Sequence, residues 1–211
     1  MKKVSLLLSA AVGTVMLISS CGGEHKGVTI GNQVWMAKNL NVDKFRNGDP
    51  IPEAKTEEEW VRAGENGQPA WCYYDNDPAN GEKNGKLYNG YAVNDPRGLA
   101  PAGWHIPSDE EWTTLTDYLG GVNLAGKKMK STSGWNDNGN GTNESGFSGL
   151  PGGSRPSYGT FSVIGEYGTW WSSTEASTDD AWARFLQYSD GFVTRFSSSE
   201  ARGMSVRCLR D

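Results

Sequence analysis

The stretch GTWWSSTE, residues 168–175, sets two tryptophans side by side, Trp170 and Trp171. Neighbouring side chains on a strand point to opposite faces, so a sheet with one buried face takes only one of them into its core. The other has to meet a second layer. It packs under the long loop of residues 131–160, or it stacks on a ligand, and Trp171 is the candidate for that role. The strand itself is expected at Thr169–Ser173, inside a C-terminal third that reads as antiparallel sheet. Ala181–Tyr188 and Phe192–Ser197 flank Ser189-Asp190-Gly191, a hairpin signal, and Met204–Arg210 supplies the last strand with Met204, Val206 and Cys208 on one face.

Upstream of that sheet two helix starts follow one chemical rule. Thr56-Glu57-Glu58-Glu59-Trp60 and Ser108-Asp109-Glu110-Glu111-Trp112 are capping boxes, with a hydroxyl at N-cap, a glutamate at N3 and a tryptophan ready to pack one position on. In the second, Trp112, Leu115 and Leu119 form an apolar stripe that Gly120-Gly121 ends. A third helical piece is expected over Asn123–Lys130. At the other end of the chain, Gly27–Met36 reads as a hairpin around Gly31-Asn32. Residues 72–107 are mostly loop with a short strand at Leu87–Val93, and 131–160 are a second long glycine-rich loop. The fold class is α+β: two short helices, a C-terminal antiparallel sheet and long glycine-rich loops.

Composition agrees. Only 36% of residues are hydrophobic, yet the chain carries 9 Trp, 8 Tyr and 6 Phe with 28 Gly, which suits a core of a few large aromatics threaded by loops. Met1-Lys2-Lys3 followed by the uncharged apolar run Val4–Ser19 is a secretory signal, too short for a membrane span. Leu17-Ile18-Ser19-Ser20-Cys21 resembles the lipobox of bacterial lipoproteins. That resemblance implies cleavage after residue 20 and acylation of Cys21, and several acyl chains give stable anchoring where one would not. The organisation expected is a signal peptide over 1–20, a lipidated tether over 21–27 and one domain over 28–211. The mature 191 residues hold 18 basic and 25 acidic side chains, a net charge of −7. No basic block exists, which argues against nucleic acid. The membrane partner is met through the lipid.

Seven motifs, IGNQVWMAKNL (30–40), PAWCYYDND (69–77), GKLYNGYAV (85–93), APAGWHIPSDEEWTTL (100–115), GTNESGFSGLPGGSR (141–155), GTWWSSTE (168–175) and SVRCLRD (205–211), resemble the Fibrobacter succinogenes major paralogous domain. The resemblance spans about residue 28 to the end. It implies a secreted or lipid-anchored protein of the kind found in Bacteroidetes and Fibrobacteres, and no particular biochemical activity. The Trp-Trp-Ser-Ser-Thr segment and the closing Val-Arg-Cys also look like those of C-type-lectin-like folds, including relatives of formylglycine-generating enzymes. Where family members often read Leu-Cys-Pro, this chain has Leu99-Ala100-Pro101, so a partner for Cys208 at that place is absent. An exported chain allows a disulfide between Cys72 and Cys208, and two buried free thiols are the other reading.

Chemistry-bearing residues are few. His105 stands alone outside the tether, and hydrogen bonding to a loop carbonyl explains it better than catalysis. A copper or oxidase site would have to draw on Cys72 and Cys208. Asn136, Asn138, Asn140 and Gly141 mimic part of a calcium loop and Asp75-x-Asp77 starts another, but Phe147 replaces the bidentate acid, and Asn/Gly turn chemistry accounts for both. Calcium is thus the one cofactor worth testing, and none is assigned. Glu110-Glu111 resemble a carboxylate pair but belong to a helix's first turn, where acids complement the dipole. The expected role is a lipid-anchored binding or adhesion module of the outer membrane, facing periplasm or cell surface, without catalysis. Its partner would be a glycan or an envelope protein, met by Trp135, Asn136, Asp137 and Asn138 of the loop, by Trp171 and by Arg155. The alternatives are a polysaccharide-acting enzyme, with carboxylates clustered around His105, and a structural subunit of a surface assembly.

Overall fold

A computed structural model describes residues 25–211. The expected signal peptide, Cys21 and most of the expected tether lie outside the described residues. Among those described, the chain is α+β, with five helices and ten strands arranged in three small antiparallel sheets.

The first sheet joins the two ends of the chain. β1 (Gly27–Ile30) and β2 (Gln33–Met36) form the expected hairpin, in register from Gly27↔Met36 to Ile30↔Gln33, and Gly31 at φ 62° supplies the left-handed turn. The C-terminal strand β10 (Leu209–Arg210) inserts between β2 and β5 (Trp104–His105). The pairing reaches back to Lys26, whose carbonyl accepts the Ala37 amide at 2.8 Å. Both capping boxes form as expected. Thr56 and Glu59 start α1 (Glu57–Glu65), and Ser108 and Glu111 start α4 (Asp109–Tyr118). α5 (Ala125–Met129) realises the third helical piece. Two helices go unread in the sequence. α2 (Pro78–Asn84) has Pro at its start and Asp77 as cap, and its internal Asn-Gly mimics a turn. α3 (Gly90–Val93) is a single turn capped by Asn89, which cuts the expected strand short at β4 (Leu87–Asn89). With β3 (Trp71–Cys72) and β9 (Gly203–Met204), β4 makes the second sheet.

The third sheet is β6 (Tyr167–Glu175), β7 (Asp180–Gln187) and β8 (Thr194–Ser199), with Trp170 opposite Arg184 and Trp171 opposite Ala183. Two expectations need correcting here. β8 begins two residues late, because Val193 is drawn inward and its amide donates to the Val122 carbonyl at 2.8 Å. The closing strand is not continuous either. Its first part, β9, pairs with β4, Ser205 bridges Trp170 of β6, and only Leu209–Arg210 reach the first sheet. Met204 through Leu209 are all buried, so no single sheet face could have taken them.

The tryptophan pair explains the layering. Both are buried, Trp170 at 1% and Trp171 at 0% exposure. β6 has a core on each face. Trp170 packs with Trp35, Trp112 and Phe147, while Trp171 packs with Tyr88, Trp71 and Val206. Each indole finds an acceptor: Trp170 Nε1 donates to Asn39 Oδ1 at 2.9 Å and Trp171 Nε1 to the Tyr88 carbonyl at 2.8 Å. A third, smaller cluster gathers around Trp60 and Tyr74. Cys72 belongs to that cluster and Cys208 to the one holding Trp171, and both are free, so the Cys72–Cys208 disulfide does not form. Burial pushes each thiol up to about 12, which leaves both protonated at neutral pH.

Candidate functional site

The residues expected to meet a ligand do not come together. Trp171 has no exposed face to offer. Trp135 is buried, its Nε1 donating to Ser131 Oγ at 3.1 Å and to the Gly149 carbonyl at 3.2 Å. Arg155 is 1% exposed and spends its guanidinium on the carbonyls of Gly159, Ala54 and Thr56, each at 2.8 Å, between the rings of Trp60 and Phe161. The three belong to different parts of the core, so they do not form a site. Sequence patterning marks a large side chain as important without saying which way it points, and here the polar tips are all absorbed internally. Asn136, Asp137 and Asn138 remain exposed on a 3₁₀ turn, with Asp137 at φ 48° and Asn138 at φ 60°. Asp75 and Asn76 adopt the same left-handed turn. The neighbouring oxygens serve the backbone: Asp77 Oδ1 accepts the Ala79 amide at 2.9 Å and Asn140 Oδ1 the Trp135 amide at 3.1 Å. The first is Asx-turn chemistry and the second closes the loop back on its start, and both are local backbone capping of the kind Asn and Asp bring to loops. Among the described residues no three His, Cys, Asp or Glu side chains converge as a metal site would require.

His105 has richer surroundings than a loop carbonyl. Its Nδ1 lies 2.8 Å from Asp211 Oδ1 and its Nε2 lies 3.0 Å from Glu111 Oε1. The pairing of β10 with β5 brings Asp211 to one edge of the ring, and the start of α4 brings Glu111 to the other. Both nitrogens can donate only if the imidazole is protonated. Partial burial works against that charge, but the hydrogen bonds and charges of Asp211 and Glu111 outweigh it, and the His105 pKa is raised. Burial likewise pushes the Glu111 carboxyl up, and the Ser108 amide, His105 and the Ser108 hydroxyl outweigh it, so its net shift is downward. Glu111 therefore has two tasks. Oε2 closes the capping box on Ser108 while Oε1 holds the imidazole.

His105 and Glu111 of this clasp line one side of an open groove of about 550 Å³. Buried Val93, Leu99, Ala100 and Ile106 line its apolar part, and Arg46, Ser108, Glu110 and Ser173 its polar part. Arg46 is fixed there by donating from Nε to the Ala100 carbonyl at 2.9 Å and from Nη2 to the Trp104 carbonyl at 2.8 Å. Nothing in the turn-rich stretch 37–55 marks Arg46 in advance. On the other side of Glu111 and Asp211 a second hollow of about 400 Å³ runs along Gln33, Thr114 and Arg210.

Away from both hollows lies a buried polar knot. Arg207 is fully buried and meets only neutral oxygens. Nε and Nη2 donate to Asn39 Oδ1 at 3.0 and 2.7 Å, and Nη1 to the carbonyls of Met36 at 3.1 Å and Phe147 at 2.6 Å. Burial pushes its pKa down to about 9, still above neutral pH.

Residues 28–210 match the family model of the Fibrobacter succinogenes major domain, and the chain belongs to that family. No curated protein matches it.

Proposed function

We propose that the protein is a lipid-anchored binding module of the bacterial outer membrane, C-type-lectin-like in architecture, that recognises its ligand without transforming it. The two capped helices, the antiparallel sheet after the long loops, and chain ends that meet in one sheet support that architecture. The observation that carries the binding role is the groove beside His105. Its size suits a small ligand, its aliphatic floor suits the apolar face of a sugar ring, and Arg46, Ser108, Glu110 and Ser173 suit the hydroxyls. An envelope glycan is the ligand class this favours. Against catalysis stands the state of the reactive groups. His105 has both ring nitrogens engaged, and the two buried thiols are protonated at neutral pH. The test is a glycan array probed with the detergent-solubilised chain and with Ser173→Trp, which fills the groove from its rim. Signal lost in the variant supports the reading, and signal equal in both removes the groove from it. A parallel run with chelator reads out calcium.

A second reading, a structural subunit of a surface assembly, is favoured by one observation. Tyr118, Val122, Leu124 and Phe192 are between 49% and 65% exposed, and the Val193–Val122 hydrogen bond brings the hairpin loop against the loop that follows α4. Sedimentation of the chain beside Phe192→Ser decides it: self-association abolished by the variant favours assembly.

A further inference from the structure

The chain enters the described fold through a cationic cleft. His25, Lys26 and Lys38 line a hollow of about 340 Å³ with Met36, Ala37 and Asn39, and no acid lines it among the described residues. The Ala37–Lys26 hydrogen bond and the Gly27↔Met36 register fix Lys26 to the strand that precedes Lys38. Behind the wall lies a third positive charge. Arg207 donates to Asn39 Oδ1 and to the Met36 carbonyl, both from residues that line the cleft, and its buried guanidinium has only neutral partners. A cation with no carboxylate beside it projects its field into the nearest hollow. The mature domain is acidic overall, so this local reversal of sign singles the cleft out.

Cys21 stands four residues before His25, a span of at most about 14 Å even when fully extended. An anchor on Cys21 therefore keeps the cleft within headgroup distance of the bilayer. We infer that the cleft seats anionic lipid phosphates and so fixes which face of the domain lies on the membrane, leaving the groove beside His105 to its own ligand. This inference rests on the lipid-anchored reading for its source of phosphate, while the cleft's preference for anions rests on its own residues.

The full chain, produced with its leader and purified from membranes, is placed on vesicles of phosphatidylcholine with and without phosphatidylglycerol. The mass of the N-terminal peptide reads acylation, and amine-reactive labelling followed by peptide mass spectrometry reads each lysine. Lys26 and Lys38 should be protected on the anionic vesicles alone, with Lys55 and Lys127 unchanged, and high salt should erase the difference. Each lysine is expected to contribute about fivefold in vesicle affinity, so Lys26→Glu with Lys38→Glu should lose the preference for anionic vesicles. Protection of Lys127 in place of Lys26 and Lys38 would overturn the orientation. Equal protection by inorganic phosphate on neutral vesicles would overturn the lipid assignment in favour of a soluble anion. An N-terminal peptide without acyl groups would sink the anchor alone. Co-sedimentation of that chain with anionic vesicles, lost in the charge-reversed variant, would still uphold the cleft, and no co-sedimentation would overturn it.

Discussion

Asn39→Ala tests the knot beneath the first sheet most severely. One oxygen, Asn39 Oδ1, accepts from Trp170 Nε1 at 2.9 Å, Arg207 Nε at 3.0 Å and Arg207 Nη2 at 2.7 Å. Truncation leaves three donors behind, two of them on a buried cation. An orphaned buried donor costs about 1–3 kcal/mol, with charged groups at the upper end. Asn39 is half-buried, so water reaching the vacated space recovers part of that loss. The expected destabilisation is about 3–5 kcal/mol, a large share of the roughly 5–15 kcal/mol typical of a folded domain. Urea unfolding followed by tryptophan fluorescence measures it, with an unchanged m-value as the condition for reading the midpoint as stability. Asn39→Asp is the control. It restores the acceptors with charge but sets a carboxylate against the Asn84 carbonyl, to which Asn39 Nδ2 now donates at 2.7 Å, so it should cost less than Ala without being neutral. In a double-mutant cycle with Arg207→Met, the two losses should be strongly non-additive, because the second change removes two of the donors that the first orphans. A cost below about 1 kcal/mol for Asn39→Ala, or additive losses in the cycle, would refute the claim that this oxygen organises the core.

The His105 clasp gives a pH signature. His105 has a raised pKa when folded, so its contribution is complete below its unfolded value near 6.5 and is lost as pH rises through the folded value. Glu111 has a lowered one, so its contribution holds above its ordinary value of 4.5 and is lost as pH falls through the folded value. His105→Ala should therefore cost most between about pH 5 and 6.5, by roughly 0.5–1 kcal/mol after allowing for solvent screening, and little at pH 9. Thermal unfolding across that range reads it, and a pH-independent cost would mean that packing alone is lost. Lys130→Met removes Nζ bonds to the carbonyls of Gln187 at 3.0 Å and Asp190 at 2.7 Å, and should speed amide exchange in the β7–β8 hairpin at a cost of about 1–3 kcal/mol. A methyl group at Gly126 would stand 2.5 Å from the carbonyl oxygens of Gly191 and Phe192, so Gly126→Ala should cost about 1–3 kcal/mol in urea, and a neutral result would show that the hairpin loop gives way freely.

Local chemistry was legible wherever a few adjacent residues suffice to define it. Both capping boxes, the Gly31-Asn32 turn and the β6–β7–β8 order could be read because each depends on neighbours in sequence. α2 was hidden by an Asn-Gly that mimics a turn, and α3 by its single-turn length. The split of the closing strand could not be read, since Tyr88, Trp170 and Trp35 claim successive parts of it from three different sheets. The groove was invisible for the same reason. Arg46, His105 and Ser173 come from three separate segments, and only the tertiary fold places them together.

The large and buried side chains of the family motifs point inward, and this explains why they identify so much and disclose so little function. Asn39, Phe147, Trp170 and Arg207 come from four of the seven stretches and meet at one buried knot. Tyr88 and Trp171 come from two stretches and are joined by one indole hydrogen bond. A buried cation held by neutral carbonyls is costly to disturb, because any lost acceptor leaves an uncompensated charge, so such residues specify a fold whatever its ligand. On the proposed reading, recognition is left to exposed positions outside the knot, Glu110 and Ser173 at the groove and Lys26 and Lys38 at the cleft, three of which lie within the seven stretches themselves. Changing those side chains should alter what the protein binds and where it sits while leaving unfolding within about 0.5 kcal/mol of wild type, whereas changes at Asn39 or Arg207 should be felt first as lost stability. A groove variant that unfolds as readily as Asn39→Ala would break that division between fold and recognition.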